Sequence, residues 1–118
     1  MRMLACMAVA VALSLPGVAL ADQGRVTSEA EFMRLVEGRT LSTLGVKLEV
    51  TPEGRISGRA WGRDVTGTWR WTDGYFCREM TFGEKPVEAD CQVVRQEGEA
   101  LRFIAERGAG QQARLALR

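Results

Sequence analysis

The sequence predicts a mainly β fold, a small antiparallel meander that closes into a calycin-like barrel or folds over as a sandwich, with one short N-terminal helix. From Thr40 onward, apolar and polar residues alternate, as in strands with one buried face. Glycine-rich turn signals recur at short intervals and separate these runs. Asp73-Gly74 is the strongest of them, because both residues tolerate the positive φ of a two-residue hairpin turn.

The N-terminal residues 1–21 have the layout of a secretory signal peptide. Arg2 supplies a positive charge, residues 3–15 form an uncharged apolar run, and residues 19–21 match an A-x-A cleavage site. The run is too short to cross a bilayer of about 30 Å comfortably, which argues against a retained transmembrane segment. We therefore expect a periplasmic or secreted protein whose single small β domain spans residues 22–118.

The elements of this domain follow from local patterns. Residues 22–26 are expected to form a loose leader. Ser28 and Glu31 match a capping box, which predicts a helix over residues 28–37 that covers an apolar edge or mouth of the sheet. The predicted strands follow at residues 44–50, 56–61, 65–72, 75–82, 91–96, 101–106 and 113–117, with a loop around residues 83–86.

Composition excludes several classes of function. The sequence contains no histidine, which excludes a Ser-His-Asp triad and the commonest zinc sites. Without Arg2 there are 15 basic and 15 acidic side chains, so the net charge predicts neither nucleic-acid binding nor attraction to an anionic membrane. No motif implies a cofactor, a metal or a catalytic residue. An enzyme would need convergent acids such as Asp64 and Glu79, whose separation the sequence does not fix.

Two cysteines, Cys77 and Cys91, remain after loss of the signal peptide with Cys6. An even cysteine count in a small exported domain predicts a disulfide. A redox-active pair is the alternative, but such pairs are more usually spaced C-x-x-C. In the chain-entropy model, a closed loop of about 15 residues contributes roughly 3 kcal/mol to stability.

The predicted hairpin places a charged residue on an apolar face. A two-residue turn at Asp73-Gly74 sets Trp71 opposite Phe76 and Trp69 opposite Arg78. The face that carries these aromatic residues should be the core, and a cation on a core face needs a partner.

Two interpretations of Arg78 follow. If Cys77 faces Cys91, then Arg78 faces Asp90, and the two would form a structural ion pair that closes one end of the barrel. Alternatively, Arg78 and Asp90 border a pocket, flanked by Trp69 and Trp71, that receives a small anionic or planar ligand. A register slip of one residue would exchange the two faces of the sheet.

Four segments carry a resemblance: residues 35–41 (LVEGRTL), 67–71 (GTWRW), 74–78 (GYFCR) and 90–94 (DCQVV). They resemble a family of short exported alphaproteobacterial proteins over nearly all of the predicted domain. Some members carry the label dihydrodipicolinate reductase. That enzyme uses NAD(P)H on a cytoplasmic Rossmann domain with a histidine-rich site, and this sequence does not support the activity. The resemblance implies no catalytic residues.

We expect an exported, non-catalytic small binding or interaction module. Its partner would be a small anionic ligand or a secreted or periplasmic protein. The alternative is a secreted inhibitor of a lysozyme or protease, which would present a protruding loop over residues 83–89. Trp61 and Tyr75 are expected in the core or at the barrel rim.

Overall fold

The computed structural model describes residues 23–118, so the predicted signal peptide at residues 1–21 lies outside the described residues and stays a prediction. Within residues 23–118, eight antiparallel strands pair in chain order and close into a barrel, with one α-helix before them. This confirms the predicted β-barrel and decides between the barrel and the sandwich. None of the helices in this range is long and apolar enough to cross a membrane.

The helix α1 spans Glu29–Val36. The strands are β1 Leu41–Thr43, β2 Val46–Val50, β3 Arg55–Ala60, β4 Arg63–Thr72, β5 Tyr75–Phe82, β6 Lys85–Glu97, β7 Ala100–Ile104 and β8 Gln112–Leu117. Because neighbouring strands run antiparallel, their turns alternate between the two ends of the barrel. We call one end the barrel mouth, which is formed by residues 44–45, 61–62, 83–84 and 105–111.

Helix α1 begins where the capping signal predicts. The Ser28 hydroxyl accepts a hydrogen bond from the Glu31 amide at 3.2 Å, and the Glu31 carboxylate accepts one from the Thr27 amide at 3.2 Å. Phe32 and Val36 lie one turn apart on the helix and are 0% and 1% exposed. The helix therefore closes the end of the barrel opposite the mouth with its apolar face.

A cluster of five aromatic rings fills this closed end. The ring centre of Phe32 lies 5.3 Å from Trp69, 5.4 Å from Trp71, 5.1 Å from Phe76 and 6.5 Å from Phe103. We call these five residues the aromatic plug. Trp69 is buried, and its indole nitrogen donates a hydrogen bond to the carbonyl of Thr51 at 2.9 Å, so its polar atom is satisfied there.

The expectation of a loose leader is wrong for residues 24–26. Val26 is fully buried, its amide donates to the Val94 carbonyl at 2.9 Å, and the Gln96 amide donates to the Gly24 carbonyl at 2.7 Å. This part of β6 lies beyond the last residue that β5 pairs with, so one of its edges would otherwise lack a partner. The N-terminal segment covers that edge through an antiparallel β-bridge between Arg25 and Arg95.

Two strand boundaries also differ from the sequence prediction. Leu44 continues the alternation of β2, but it lies in a turn with Gly45 and separates β1 from β2. The loop predicted around residues 83–86 is only the turn at residues 83–84, because β6 begins at Lys85. Pro86 is tolerated in β6 because this part of the strand pairs with β5 alone.

The outer face carries a row of like charges that Glu97 neutralises. Arg102 stands opposite both Arg95 and Arg114 in register, an arrangement that is unfavourable between neighbouring strands. Arg102 donates hydrogen bonds of 2.6 and 3.0 Å to the Glu97 carboxylate, and Arg114 lies 3.4 Å from it. Hydrogen bonding by Arg102, with the charges of Arg114 and Arg95, lowers the pKa of Glu97 against a smaller opposing effect of burial.

We therefore expect Glu97→Gln to lower the free energy of unfolding at neutral pH. We also expect this variant to lose less stability than the wild type when the pH is lowered. A carboxyl with a lowered folded-state pKa stabilises the protein above its unfolded-state pKa of about 4.3. That contribution disappears as the pH falls through the folded-state pKa. Urea unfolding at pH 7 and pH 3 measures the difference, with Glu49→Gln, an exposed carboxylate on β2, as the control. An equal acid sensitivity of both variants would contradict the prediction.

Candidate ligand-binding cavity

A cavity of about 260 Å³ lies inside the barrel between the aromatic plug and the mouth. It forms because alternate residues of each strand point inward, and those near the mouth are mostly aliphatic and too small to fill the interior. Its apolar lining is Leu41, Val46, Leu48, Val50, Ile56, Phe76, Met80, Phe103, Ala113 and Leu115. Phe76 and Phe103 belong also to the plug, so they form the floor of the cavity.

Three polar residues complete the lining: Thr43, Arg78 and Gln92. Gln92 stands opposite Phe76, and Arg78 is the next pair along the same two strands. Among the described residues that line the cavity, none is acidic. The site is thus an apolar chamber with one cation and one amide on the same part of its wall.

A β-bulge sets the position of Arg78. Between the pairs Arg78–Asp90 and Met80–Val87, β6 contains one residue more than β5, so the β6 backbone bends at residues 88–89. The bend presents the Glu88 carbonyl, which accepts a hydrogen bond of 2.6 Å from Nη1 of Arg78.

The predicted register is confirmed, but the predicted ion pair between Arg78 and Asp90 is wrong. The two residues are partners across β5 and β6. The Asp90 carboxylate nevertheless accepts hydrogen bonds of 3.1 and 3.2 Å from the amide of Glu106. The bulge and the turn after β7 therefore supply each side chain with a backbone partner. Among the described residues, no carboxylate lies within ion-pair distance of the Arg78 guanidinium, although Glu79, Asp90 and Glu106 line the same outer groove.

Arg78 lies beside the place where β6 and β7 separate, since its partner Asp90 is beyond the end of their pairing. The pairing of β6 with β7 ends at Val93–Ile104, and the turn that contains Glu106–Gly108 covers the space beyond. Arg78 lines the cavity and also an outer groove of about 430 Å³ that Arg70 and Arg107 border. The side chain therefore passes through the wall from the interior to the outer surface.

The tryptophans expected beside Arg78 belong to another part of the barrel. Trp69 is Arg78's partner across β4 and β5, as predicted. Its ring points to the closed end, where it packs on Phe32 and Phe76, and Trp71 lies there too. Neither tryptophan is among the described residues that line the cavity.

Sequence reasoning missed Gln92, although a signal for it existed. Once Arg78 is placed opposite Asp90, the same register places Gln92 opposite Phe76 on the core face. A second polar residue on an apolar face, two positions from the first, indicates a polar corner of a cavity. The other lining residues look like ordinary core residues in the sequence.

The predicted disulfide is present, as Cys77 and Cys91 are bonded on the outer face of β5 and β6. Each cysteine is followed by a polar residue of the cavity lining, Arg78 after Cys77 and Gln92 after Cys91, and we call these two lining residues the polar corner. Asp64 and Glu79 do not converge. Asp64 pairs with Arg59 at 2.8 Å, whereas Glu79 stands opposite Thr68, four residues or about 13 Å further along β4.

Comparisons with protein-family models, with curated proteins and with solved structures give no match for this chain. A function must therefore be argued from the cavity and from the chemistry of its lining.

Proposed function

We propose that this protein is an exported, non-catalytic binding protein that holds a small amphipathic anion in its barrel. The apolar body of the ligand lies against the aliphatic wall, and its negative head reaches Arg78. The observation that carries the proposal is the apolar cavity: within residues 23–118, its one charged lining residue is Arg78, which forms no ion pair with a carboxylate.

The size of the cavity limits the ligand. A volume of about 260 Å³ is slightly below the range of drug-sized pockets. At about 30 Å³ for a water-sized group, it accommodates on the order of nine non-hydrogen atoms. A medium-chain carboxylate such as octanoate has about this size, whereas a long-chain fatty acid has roughly twice as many non-hydrogen atoms and would not fit.

The chemistry of the polar corner favours an anionic head. Only Nη1 of Arg78 donates to Glu88, so the remaining guanidinium donors are available for a carboxylate or a similar group. The side-chain amide of Gln92 on the adjacent pair adds a further donor. Such charge-assisted hydrogen bonds are stronger than neutral ones.

Titration calorimetry with octanoate tests this proposal. We expect saturable binding to the wild-type protein, and weaker binding of octanol, which has the same chain without the charge. Arg78→Met should reduce octanoate affinity about 10- to 100-fold, because a hydrogen bond to a charged group contributes roughly 1.5 to 3 kcal/mol. Octanol binding should change little, since the methionine keeps the apolar stem of the arginine.

Arg70→Met is the matched control, because Arg70 lies on the outer face opposite Cys77 and does not line the cavity. Octanoate should bind this variant as it binds the wild type. An equal loss in both variants would contradict a specific role of Arg78. Failure of the wild type to bind either compound would contradict the proposal as a whole.

The inhibitor alternative has less support. It required a protruding loop over residues 83–89, but these residues form a two-residue turn and the start of β6.

A further inference from the structure

Two large apolar side chains are exposed side by side at the barrel mouth. Leu44 is 83% and Trp61 is 65% exposed. The Trp61 amide donates to the Gly45 carbonyl at 2.8 Å, which joins the turn after β3 to the turn after β1. The Trp61 ring lies so close to Gly45 that a β-carbon there would come within 2.5 Å of it. We call Leu44 and Trp61 the apolar tip.

The backbone conformation at position 61 is unfavourable for a tryptophan. Trp61 and Gly62 have φ angles of 51° and 78°, the left-handed pair of a type I′ hairpin turn. Asn, Asp and Gly are favoured at the first of these positions, and a bulky residue is a genuine outlier there. Asp73 occupies the equivalent position in the turn at the closed end, with a φ of 53°. A strained backbone that displays a large apolar ring to water points to a role outside the fold.

The two ends of the barrel carry opposite charge. The mouth turns with their flanking residues (43–48, 59–65, 82–86 and 105–111) contain five basic and three acidic side chains. The closed end, comprising residues 25–39, 51–55, 72–74, 97–100 and 118, contains five basic and seven acidic side chains. The near-zero net charge hides this polarity, because the two excesses oppose each other. Such a distribution orients the protein with its mouth toward a negative surface.

We propose that the barrel mouth docks on the surface of an anionic lipid bilayer, with Leu44 and Trp61 inserted among the headgroups. Tryptophan favours this interfacial environment, and basic side chains such as Lys47 and Arg63 beside the tip attract anionic lipids. The cavity begins behind the same turns, since Thr43 and Val46 flank the tip in β1 and β2 and line it. Docking would let an amphipathic anion pass from the lipid into the cavity, a role that rests on the proposed function.

Sedimentation with vesicles tests the docking. The probes are vesicles of phosphatidylcholine alone and of phosphatidylcholine mixed with phosphatidylglycerol, without added fatty acid. We expect the wild-type protein to bind the mixed vesicles at low salt, with a blue shift of tryptophan emission. The Leu44→Ser, Trp61→Asn double variant should lose both binding and shift. Asn tolerates the left-handed backbone at position 61, so this variant should keep its fold.

Matched charge variants distinguish docking through the barrel mouth from attraction of any basic side chain of the protein to anionic vesicles. Lys47→Gln with Arg63→Gln should weaken binding to mixed vesicles, by about fivefold for each side chain removed. Arg34→Gln with Arg39→Gln, at the closed end, should leave it unchanged. The proposal is overturned if the tip variant binds like the wild type, if both charge pairs behave alike, or if the wild type binds neither kind of vesicle.

Failure of docking and failure of the proposed function give different results. Arg78→Met should bind vesicles normally while losing octanoate, and the tip variant should bind octanoate from solution while losing vesicles. Octanoate binding without vesicle binding would reject the docking alone. Vesicle binding without octanoate binding would reject the proposed ligand and retain the docking surface.

Discussion

Replacement of Phe32 by alanine should destabilise the protein by about 4 kcal/mol, the cost typical of deleting a buried phenylalanine. The Phe32 side chain is 0% exposed and contacts the rings of Trp69, Trp71, Phe76 and Phe103. Together with Val36 it fixes helix α1 to the barrel, and its loss leaves a void at the centre of the aromatic plug. Small domains have only about 5 to 15 kcal/mol of stability, so the expected loss is a large part of the total.

Urea unfolding followed by tryptophan fluorescence measures this effect, because two of the plug residues are tryptophans. Arg34→Ala is the control on the same helix, and since Arg34 is exposed it should change stability by no more than about 0.5 kcal/mol. Phe32→Leu should lie between the two, because leucine refills part of the void. If Phe32→Ala cost no more than Arg34→Ala, the helix would not be what closes the barrel.

The β-barrel could be predicted because its signals are local. Ser28 and Glu31 mark the helix start, and Asp73-Gly74 fixes the register of β4 and β5. The cysteine pair extends that register to β6. The strand predicted over residues 44–50 is present from Val46 to Val50, but its predicted start at Leu44 is wrong. Leu44 continues the period-two pattern of β2, and nothing local distinguishes an apolar residue of a strand from one exposed in a turn.

A pocket beside Arg78 could be proposed from the sequence, but the rest of its lining could not be predicted, because it depends on contacts between distant parts of the chain. Alternation places Arg78 on the core face, but the bulge at residues 88–89 and the turn after β7 decide which partners Arg78 and Asp90 find. Likewise, the apolar face of α1 recruits Trp69 and Trp71 to the closed end. Only this docking shows that these tryptophans belong to the plug and not to the ligand site.

Replacement of both Cys77 and Cys91 by alanine should cost about 3 kcal/mol, as expected for a closed loop of about 15 residues. The disulfide joins β5 to β6 at the point where β6 leaves β7, since the pairing with β7 ends at Val93. From Gln92 to Lys85, β6 is paired with β5 alone. Urea unfolding measures the loss of stability, and hydrogen exchange should show weakened protection in this part of β6 before β7 is affected.

The same variant should also bind octanoate more weakly, because the disulfide holds the polar corner of the cavity. Arg78 follows Cys77 and Gln92 follows Cys91, so each is one peptide bond from the crosslink. A reductant should reproduce both effects in the wild type and leave the alanine variant unchanged. Weaker octanoate binding with unchanged stability would mean that the crosslink positions only the site. If stability and octanoate affinity were both unchanged, the disulfide would contribute nothing beyond the pairing that β5 and β6 already make.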